Sequence, residues 1–86
     1  MFMNITLKLH AKLADFLPPE ARQSNMLQLN VNDGTTVAAL ITQFNLPPNL
    51  CHLVLIDGVF LPPGARATRA LAEGETLAIW PPIAGG

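Results

Sequence analysis

Apolar and polar residues alternate along two segments in the first part of the chain. Every second residue is apolar from position 3 to position 9 and again from position 27 to position 31. A period of two predicts a strand with one face buried in a core. Between these strands, helix-forming residues at positions 11–17 predict a short turn or helix, and Pro18-Pro19 ends it.

A change of period marks one amphipathic helix in the middle of the chain. Asp33-Gly34 predicts a turn, and the hydroxyl of Thr35 or Thr36 can cap the helix by accepting a hydrogen bond from its first turn. Pro47-Pro48 prevents the helix from continuing. The apolar positions recur as on one face of a helix: Val37, Leu40, Ile41 and Phe44.

Further strands are predicted in the second half of the chain. Residues 53–56 form a short apolar run that suits a central strand covered on both faces. Asp57-Gly58 is a two-residue hairpin signal, so residues 59–61 are predicted to be the return strand. Residues 65–71 are predicted to be a loop or a single helical turn, and residues 76–80 the last strand.

The order strand, strand, helix, strand, strand, strand predicts one small α+β domain. One helix cannot bury its apolar stripe alone, so it should pack across one face of a mixed five-stranded sheet. A chain of 86 residues is long enough for one such domain and too short for two. We assign residues 1–80 to this domain and residues 81–86 to a flexible C-terminal tail.

Composition argues against several classes of function. The net charge is -1 and the five Lys and Arg residues are dispersed, which argues against a nucleic acid partner. The single Cys51 excludes an intramolecular disulfide, and one cysteine with two separated histidines provides too few ligands for a zinc cluster. Because the chain has no run of about 20 apolar residues and no secretory signal, we expect a cytoplasmic protein without membrane contact.

The tail, Pro81-Pro82-Ile83-Ala84-Gly85-Gly86, has a chemistry that needs no reactive side chain. The prolines favour extended backbone and stiffen its base, while the glycines lack a Cβ and can enter a narrow channel. A carboxylate must be activated before a nucleophile attacks it, and the sequence has no P-loop or Gly-x-Gly-x-x-Gly motif for ATP. The pattern therefore indicates a carrier that binds no cofactor of its own, with ATP used by a partner enzyme.

Asp33-Gly34-Thr35-Thr36-Val37 at the start of a helix and Pro-Pro-x-Ala-Gly-Gly at the chain end together resemble the MoaD/ThiS family of ubiquitin-like sulfur carriers. The resemblance spans nearly the whole chain and implies a β-grasp fold. It implies that an E1-like enzyme adenylates Gly86 and that the carboxyl group becomes a thiocarboxylate. A larger synthase subunit or another sulfur acceptor would then receive the sulfur.

The Pro-Pro tail is closest to that of the small subunit of molybdopterin synthase, which implies a role in molybdenum cofactor biosynthesis. The chain would then be no enzyme by itself, and at most the small, sulfur-donating subunit of a synthase. Asp57-Gly58 stands where the family commonly has Asn-Gly, and residues 44–50 lack the usual acidic character. These departures leave the recipient open, with thiamin or another sulfur-containing metabolite as alternatives. A ubiquitin-like modifier or a non-catalytic binding module would use the same terminus.

The predicted reactive residues are Gly86, which carries the carboxyl group, and Gly85, which gives access to it. Trp80 has the parity opposite to that of the core-facing positions of the last strand. If no bulge intervenes, it is predicted to lie on the exposed sheet face with Phe60 or Leu61, as an apolar patch for a partner, with packing into the core as the alternative. The full predicted partner surface joins this patch to the tail: Phe60, Leu61, Trp80, Pro81, Pro82, Ile83 and Ala84.

Other side chains that could carry chemistry are given structural roles. Cys51 and His52 are adjacent at the start of a strand and point to opposite faces, which favours a small apolar cysteine over a nucleophile with its base. His10 is predicted to be a turn or surface residue. Arg66 and Arg69 are interpreted as solvated, with contact to an acidic patch on an adenylating enzyme as the alternative.

Overall fold

The helix and the strands begin and end close to their predicted positions in the computed structural model, which describes residues 1–82. Helix α1 spans Val37–Gln43, and no helix among residues 1–82 is long and apolar enough to cross a bilayer. The strands are β1 (Phe2–Leu9), β2 (Met26–Asn32), β3 (Leu53–Ile56), β4 (Val59–Phe60) and β5 (Thr76–Trp80). Short 3-10 helices lie in the connections, at Ala11–Phe16, Pro19–Ala21, Pro48–Leu50 and Pro63–Ala65.

The strands form one mixed sheet in the order β2-β1-β5-β3-β4. β1 and β5 are parallel, with Leu7 beside Leu77 and Leu9 beside Ile79, and the other neighbouring strands are antiparallel. The last strand along the chain therefore lies at the centre of the sheet. One mixed five-stranded sheet with one main helix is the β-grasp arrangement, so the predicted fold class is confirmed.

The prediction that β3 is the central strand with both faces covered is wrong. In β3, Val54 and Ile56 are buried, while Leu53 and Leu55 keep part of their surface exposed. β5 takes the central place, and its residues 77–79 are all buried. An unbroken apolar run does not reveal how many faces of a strand are covered, because a solvent-facing apolar patch gives the same run.

The core lies between α1 and one face of the sheet. The predicted helical stripe faces this core, and Val37, Leu40 and Ile41 are buried. The largest fully buried side chains of the sheet are Ile5, Leu7, Leu9, Val54, Leu77 and Ile79. We call the opposite side the open face, and its central rows carry the side chains of Thr6, Lys8, Leu55, Phe60, Thr76, Ala78 and Trp80.

The N-terminus of α1 is held by side-chain and backbone acceptors. The Thr36 hydroxyl accepts a hydrogen bond from the N–H of Ala39 at 3.1 Å, so Thr36 is the cap among the two predicted candidates. Two further N–H groups of the first turn donate to the carbonyls of Arg66 and Arg69, at 2.9 and 3.2 Å. These bonds join the start of the helix to residues 66–69, in the segment that precedes β5, and so fix the position of that segment.

Thr36→Ala is expected to lower the free energy of unfolding by about 1 kcal/mol, because the N–H of Ala39 loses its acceptor. Thr36→Ser keeps a hydroxyl at the same position and is the matched control. Urea denaturation of both variants beside the parent chain measures the two losses. Equal losses in the two variants would contradict the capping role.

Candidate functional site

The reactive end predicted from the sequence lies outside the residues that the structure describes. Gly85 and Gly86, with Ile83 and Ala84 before them, belong to this undescribed part. The described chain ends with the two prolines that follow β5, of which Pro81 is half-buried and Pro82 is exposed. We call residues 80–82 the tail root.

Backbone hydrogen bonds fix the end of β5 on both sides. The N–H of His52 donates to the carbonyl of Trp80 at 3.0 Å, and the N–H of His10 donates to the carbonyl of Ile79 at 3.1 Å. Trp80 also pairs with Leu53 of β3. The chain therefore leaves the sheet from its centre, held by the segments that adjoin both flanking strands.

The indole of Trp80 stacks on the imidazole of His10, with ring centroids 3.9 Å apart and an interplanar angle of 2°. The sequence predicts a turn or surface histidine with no visible partner for metal binding or catalysis, and it does not predict this stacking contact. Parallel pairing of Leu9 with Ile79 brings the next residue of each chain segment side by side. The contact depends on the β1–β5 register, which no local sequence signal reveals.

The environment of His10 favours its neutral form. Burial of the ring, with a further effect from the positive charge of Lys8, lowers the pKa of His10 from its ordinary value of 6.5. The Nε2 atom of His10 is buried and has no hydrogen-bond partner among the described residues. A proton added to this ring would therefore be poorly solvated in the folded state.

Trp80 lies beside a depression of about 500 Å³ on the open face. Leu55, Ala78 and Trp80 supply its apolar lining, and Lys8 and Asp57 supply its charged groups. Leu55 is absent from the predicted partner surface because the sequence predicts that both faces of its strand are covered. The result is a mainly apolar surface that carries one positive and one negative charge next to the tail root.

The two residues placed beside Trp80 by the sequence have different surroundings. Phe60 is 54% exposed and lies in the same cross-strand row of the open face as Leu55. Leu61 is only 9% exposed and packs into the core, so its placement on the partner surface is wrong. The N–H of Leu61 donates to the carbonyl of the buried Val54 at 2.9 Å, so Leu61 lies opposite Val54 and its side chain is on the core side of the sheet.

The Asp57-Gly58 turn forms as predicted, and Asp57 also joins the hairpin to β5. Both turn residues have positive φ, 50° at Asp57 and 83° at Gly58, as a two-residue hairpin of type I′ requires. Oδ1 of Asp57 accepts a hydrogen bond from the N–H of Thr76 at 2.8 Å. The N–H of Asp57 donates to the carbonyl of Thr76 at 2.9 Å. Asp57 therefore has a structural role in addition to its charge.

Arg69 is part of an ion pair, which corrects its interpretation as a solvated residue. Its guanidinium lies 2.7 Å from the carboxylate of Glu75 and also donates to the carbonyl of Ala70. The hydrogen bond from Arg69 is the main cause that lowers the pKa of Glu75 below its ordinary value. The N–H of Ala72 donates to the same carboxylate at 2.7 Å. The pair therefore closes the loop that leads into β5.

Cys51 has the environment of a core residue. It is 3% exposed, and its thiol lies 3.5 Å from the carbonyl of Pro47. Burial raises the pKa of the Cys51 thiol, and the positive charge of Arg66 opposes this effect without reversing it. The guanidinium of Arg66 approaches the carbonyl of His52 at 3.5 Å. The reactive thiolate is therefore disfavoured.

No group of three His, Cys, Asp or Glu side chains within residues 1–82 is arranged to hold a metal ion. The chemistry that the described part offers is a surface for contact and a rigid exit for the chain. The three elements of this site are the depression on the open face, the exposed Phe60 and the tail root.

An NMR titration is expected to give His10 a pKa below 6.5, and Trp80→Ala is expected to raise it because the imidazole loses its cover.

Since folding lowers this pKa, His10 costs the folded state stability as pH falls below the ordinary value of 6.5. The cost becomes constant once the ring is protonated in both states. His10→Phe keeps a ring in the stack and should remove this part of the pH dependence. An unchanged pKa in Trp80→Ala would contradict the stacking account.

Three solved structures of other proteins share this fold. The Haloferax volcanii HVO 2177 protein is 21% identical, with a TM-score of 0.74 over 99% of this chain and 88% of that one. SAMP1 from Haloferax volcanii is 25% identical, with a TM-score of 0.65 over 96% of this chain and 99% of that one. Small archaeal modifier protein 1 from Methanosarcina acetivorans is 20% identical, with a TM-score of 0.61 over 100% of this chain and 99% of that one.

The sequence comparisons identify the family. A search of curated proteins gave no match. The sequence model of the ThiS family matches residues 16–86, which is most of the chain and includes its C-terminal end. Sequence and fold agree, and the chain belongs to the ThiS family, as a ubiquitin-like protein of the MoaD/ThiS type.

Proposed function

We propose that this chain is a sulfur carrier whose C-terminal carboxylate, on Gly86, is converted to a thiocarboxylate. The observation that carries the proposal is the ThiS family match, which runs to residue 86 and so includes the Gly-Gly terminus. The position of β5 supports it, because the central strand leads directly into the tail. The burial of Cys51 supports it as well, since a thiol with a raised pKa is a poor sulfur acceptor.

The chain acts as a substrate in this scheme. A carboxylate oxygen of Gly86 attacks the α-phosphorus of ATP within an E1-like enzyme, and pyrophosphate leaves with the electrons of the broken P–O bond. Sulfide, as HS⁻, then attacks the carbonyl carbon of the acyl-adenylate. The carbon–oxygen bond to AMP breaks, AMP leaves, and the thiocarboxylate loses its proton. Sulfur keeps its oxidation state throughout, so the scheme needs no reductant.

The geometry of the described residues suits delivery of such a tail. Six extended residues span at most roughly 20 Å, so the enzyme must bind close to the tail root. The hydrogen bonds at the end of β5 and the stack of Trp80 on His10 hold that root in place. We propose that the E1-like enzyme docks on the open face, where Phe60 and the lining of the depression are apolar.

For the sulfur acceptor, we propose the pterin precursor of a molybdenum or tungsten cofactor, bound by a larger synthase subunit. The feature that favours it is Pro81-Pro82, which resembles the tail of the molybdopterin synthase small subunit. Under this assignment the same open face serves two partners in turn. Thiamin or another sulfur-containing metabolite is the alternative acceptor, reached through the same thiocarboxylate.

A second function is favoured by the names of two relatives. SAMP1 from Methanosarcina acetivorans is called a small archaeal modifier protein, and SAMP1 from Haloferax volcanii carries the same short name. A modifier would share the adenylation step, after which a lysine amine would attack the carbonyl and form an isopeptide bond. The products separate the two functions, because one is a thiocarboxylate and the other a conjugate.

Intact mass spectrometry tests the carrier function directly. The full chain is incubated with ATP and sulfide in an extract that thiocarboxylates another carrier. We expect a mass increase equal to the difference between one sulfur and one oxygen atom, and no increase after deletion of Gly86. Cys51→Ser should keep the increase. A persulfide on Cys51 would instead add a whole sulfur atom, so it is distinguishable. Lysine conjugates that form without the replacement of oxygen by sulfur would favour the modifier function.

Phe60→Ala is expected to raise the KM for the chain in thiocarboxylation several-fold, because an exposed aromatic anchor of the docking surface is lost. Val59→Ala is the matched control, since Val59 is 69% exposed on the same short strand but pairs with the core-facing Ile56. Steady-state rates with the E1-like enzyme measure both variants. Equal KM values for Phe60→Ala and the parent chain would move the docking surface away from the open face while leaving the carrier function intact.

A further inference from the structure

The outer edge of β2 lacks the features that usually protect an edge strand. β2 pairs with β1 through seven consecutive residues without a bulge. Its sequence, Met-Leu-Gln-Leu-Asn-Val-Asn, contains no charged residue and no proline. Edge strands commonly carry such residues, or are very short, because their unpaired backbone groups attract another strand. The opposite edge follows that rule, since β4 has only two residues.

The hydrogen bonds of β2 show which of its backbone groups point outward. The N–H of Asp33 donates to the carbonyl of Met1, and the N–H of Leu9 donates to the carbonyl of Asn25, each at 3.0 Å. Hydrogen-bonded pairs alternate along an antiparallel ladder. The odd-numbered residues of β2 therefore bond to β1, and the backbone groups of the even-numbered residues point away from the sheet.

Both ends of this outer edge already have partners within the chain. The Ser24 hydroxyl lies 3.4 Å from both the backbone N and the carbonyl oxygen of Met26. The carbonyl of Asn32 accepts hydrogen bonds from the N–H and the hydroxyl of Thr35, at 3.1 and 2.7 Å. The open part of the edge is therefore its middle.

In the middle of the edge, the outward N–H and C=O groups of Gln28 and Asn30 have no hydrogen-bond partner among residues 1–82. Leu29 lies between them with its side chain on the helix side of the sheet, where it is only half-buried. Residues 28–30 therefore combine free backbone groups at the edge of the sheet with a leucine side chain that is incompletely covered.

We propose that a second copy of this chain pairs with this edge, β2 against β2 and antiparallel, with Leu29 on the two-fold axis. Gln28 of each copy then lies opposite Asn30 of the other. The free N–H and C=O groups of Gln28 and Asn30 in both copies are all satisfied by this pairing. A continuous ten-stranded sheet results, since each copy contributes five strands.

The side chains of β2 make this register self-complementary. The amides of Gln28 and Asn30 face each other on the open side, where both are exposed. On the helix side Leu29 faces its own copy in a non-hydrogen-bonded pair, the geometry in which opposite side chains approach most closely. Because β2 carries no charge, no like charges are opposed. These matched faces favour a second copy over an unrelated strand.

The interface is small, so we expect a concentration-dependent dimer rather than a permanent one. Since β1 lies between β2 and β5, the paired edge is separate from the tail root and from the depression on the open face. The dimer therefore stands independently of the sulfur carrier proposal, and neither requires the other.

Two double variants of the full chain test the interface and its register. Gln28→Lys with Asn30→Glu places opposite charges across the axis, whereas Gln28→Lys with Asn30→Lys places like charges there. Both lose the hydrogen bond from the Asn30 amide to Asn4 equally. Sedimentation velocity over a range of concentrations should show dimerisation kept in the first and weakened about tenfold or more in the second.

A backbone variant gives a second measure of the same edge. Gln28→Pro removes an outward N–H, and Gln28→Thr keeps it as the matched control. Only the proline variant should weaken the dimer, and far-UV circular dichroism shows whether it remains folded. If the proline variant unfolds, the two charge variants still test the interface. Hydrogen exchange of the parent chain is a further test, since the amides of Gln28 and Asn30 should exchange more slowly as the protein concentration rises. A parent chain that is monomeric at every concentration overturns the proposal, as do equal dimerisation constants for the two charge variants.

Discussion

The parallel pairing of β1 with β5 is the interaction on which the rest of the structure depends. It joins residues 6–9 to residues 76–79, from opposite ends of the chain. Leu77 and Ile79 are 0% exposed, so the core is incomplete until the last strand is in place. Because these contacts are distant in sequence, forming them costs loop-closure entropy, which the burial of both strands must offset. The same pairing sets the position of the tail root.

Features that depend on neighbouring residues could be predicted from the sequence. The cap at Thr36, the helical stripe and the Asp57-Gly58 turn follow from local hydrogen bonding and periodicity, and each is present. Features that depend on register between distant segments could not. The stack of His10 on Trp80 exists because two parallel strands end side by side. Sheet order was accessible only through the family resemblance, since periodicity does not specify which strands are neighbours.

The partner surface shows that the face on which a side chain lies and the cover over that face both decide a site. Phe60 and Leu61 are consecutive in an extended segment, so their side chains lie on opposite faces. The N–H of Leu61 bonds to the carbonyl of the buried Val54, and Leu61 lies on the core side. The sequence also predicts that both faces of β3 are covered, so Leu55 is not predicted to be part of the surface. In the structure Leu55 lines the depression, whereas Leu61 is buried. Alternation predicts the side of a residue well, whereas the covering of that side depends on tertiary packing.

Under the proposed function, the reacting group is a carboxylate at Gly86 and Gly85 beside it has no side chain, so we propose that a partner recognises the chain mainly through the open face. Lys8 and Asp57 are the charged groups that line the open-face depression. Lys8 lies in the row of Ala78, at the middle of β5, while Asp57 bonds to Thr76 at its start. The two charges are thus offset along the strand that leads into the tail. Charge pairs across an interface set orientation more than affinity. We therefore expect a partner that complements both charges to be oriented along β5, with one end at the tail root, from which the proposed reacting carboxylate is presented.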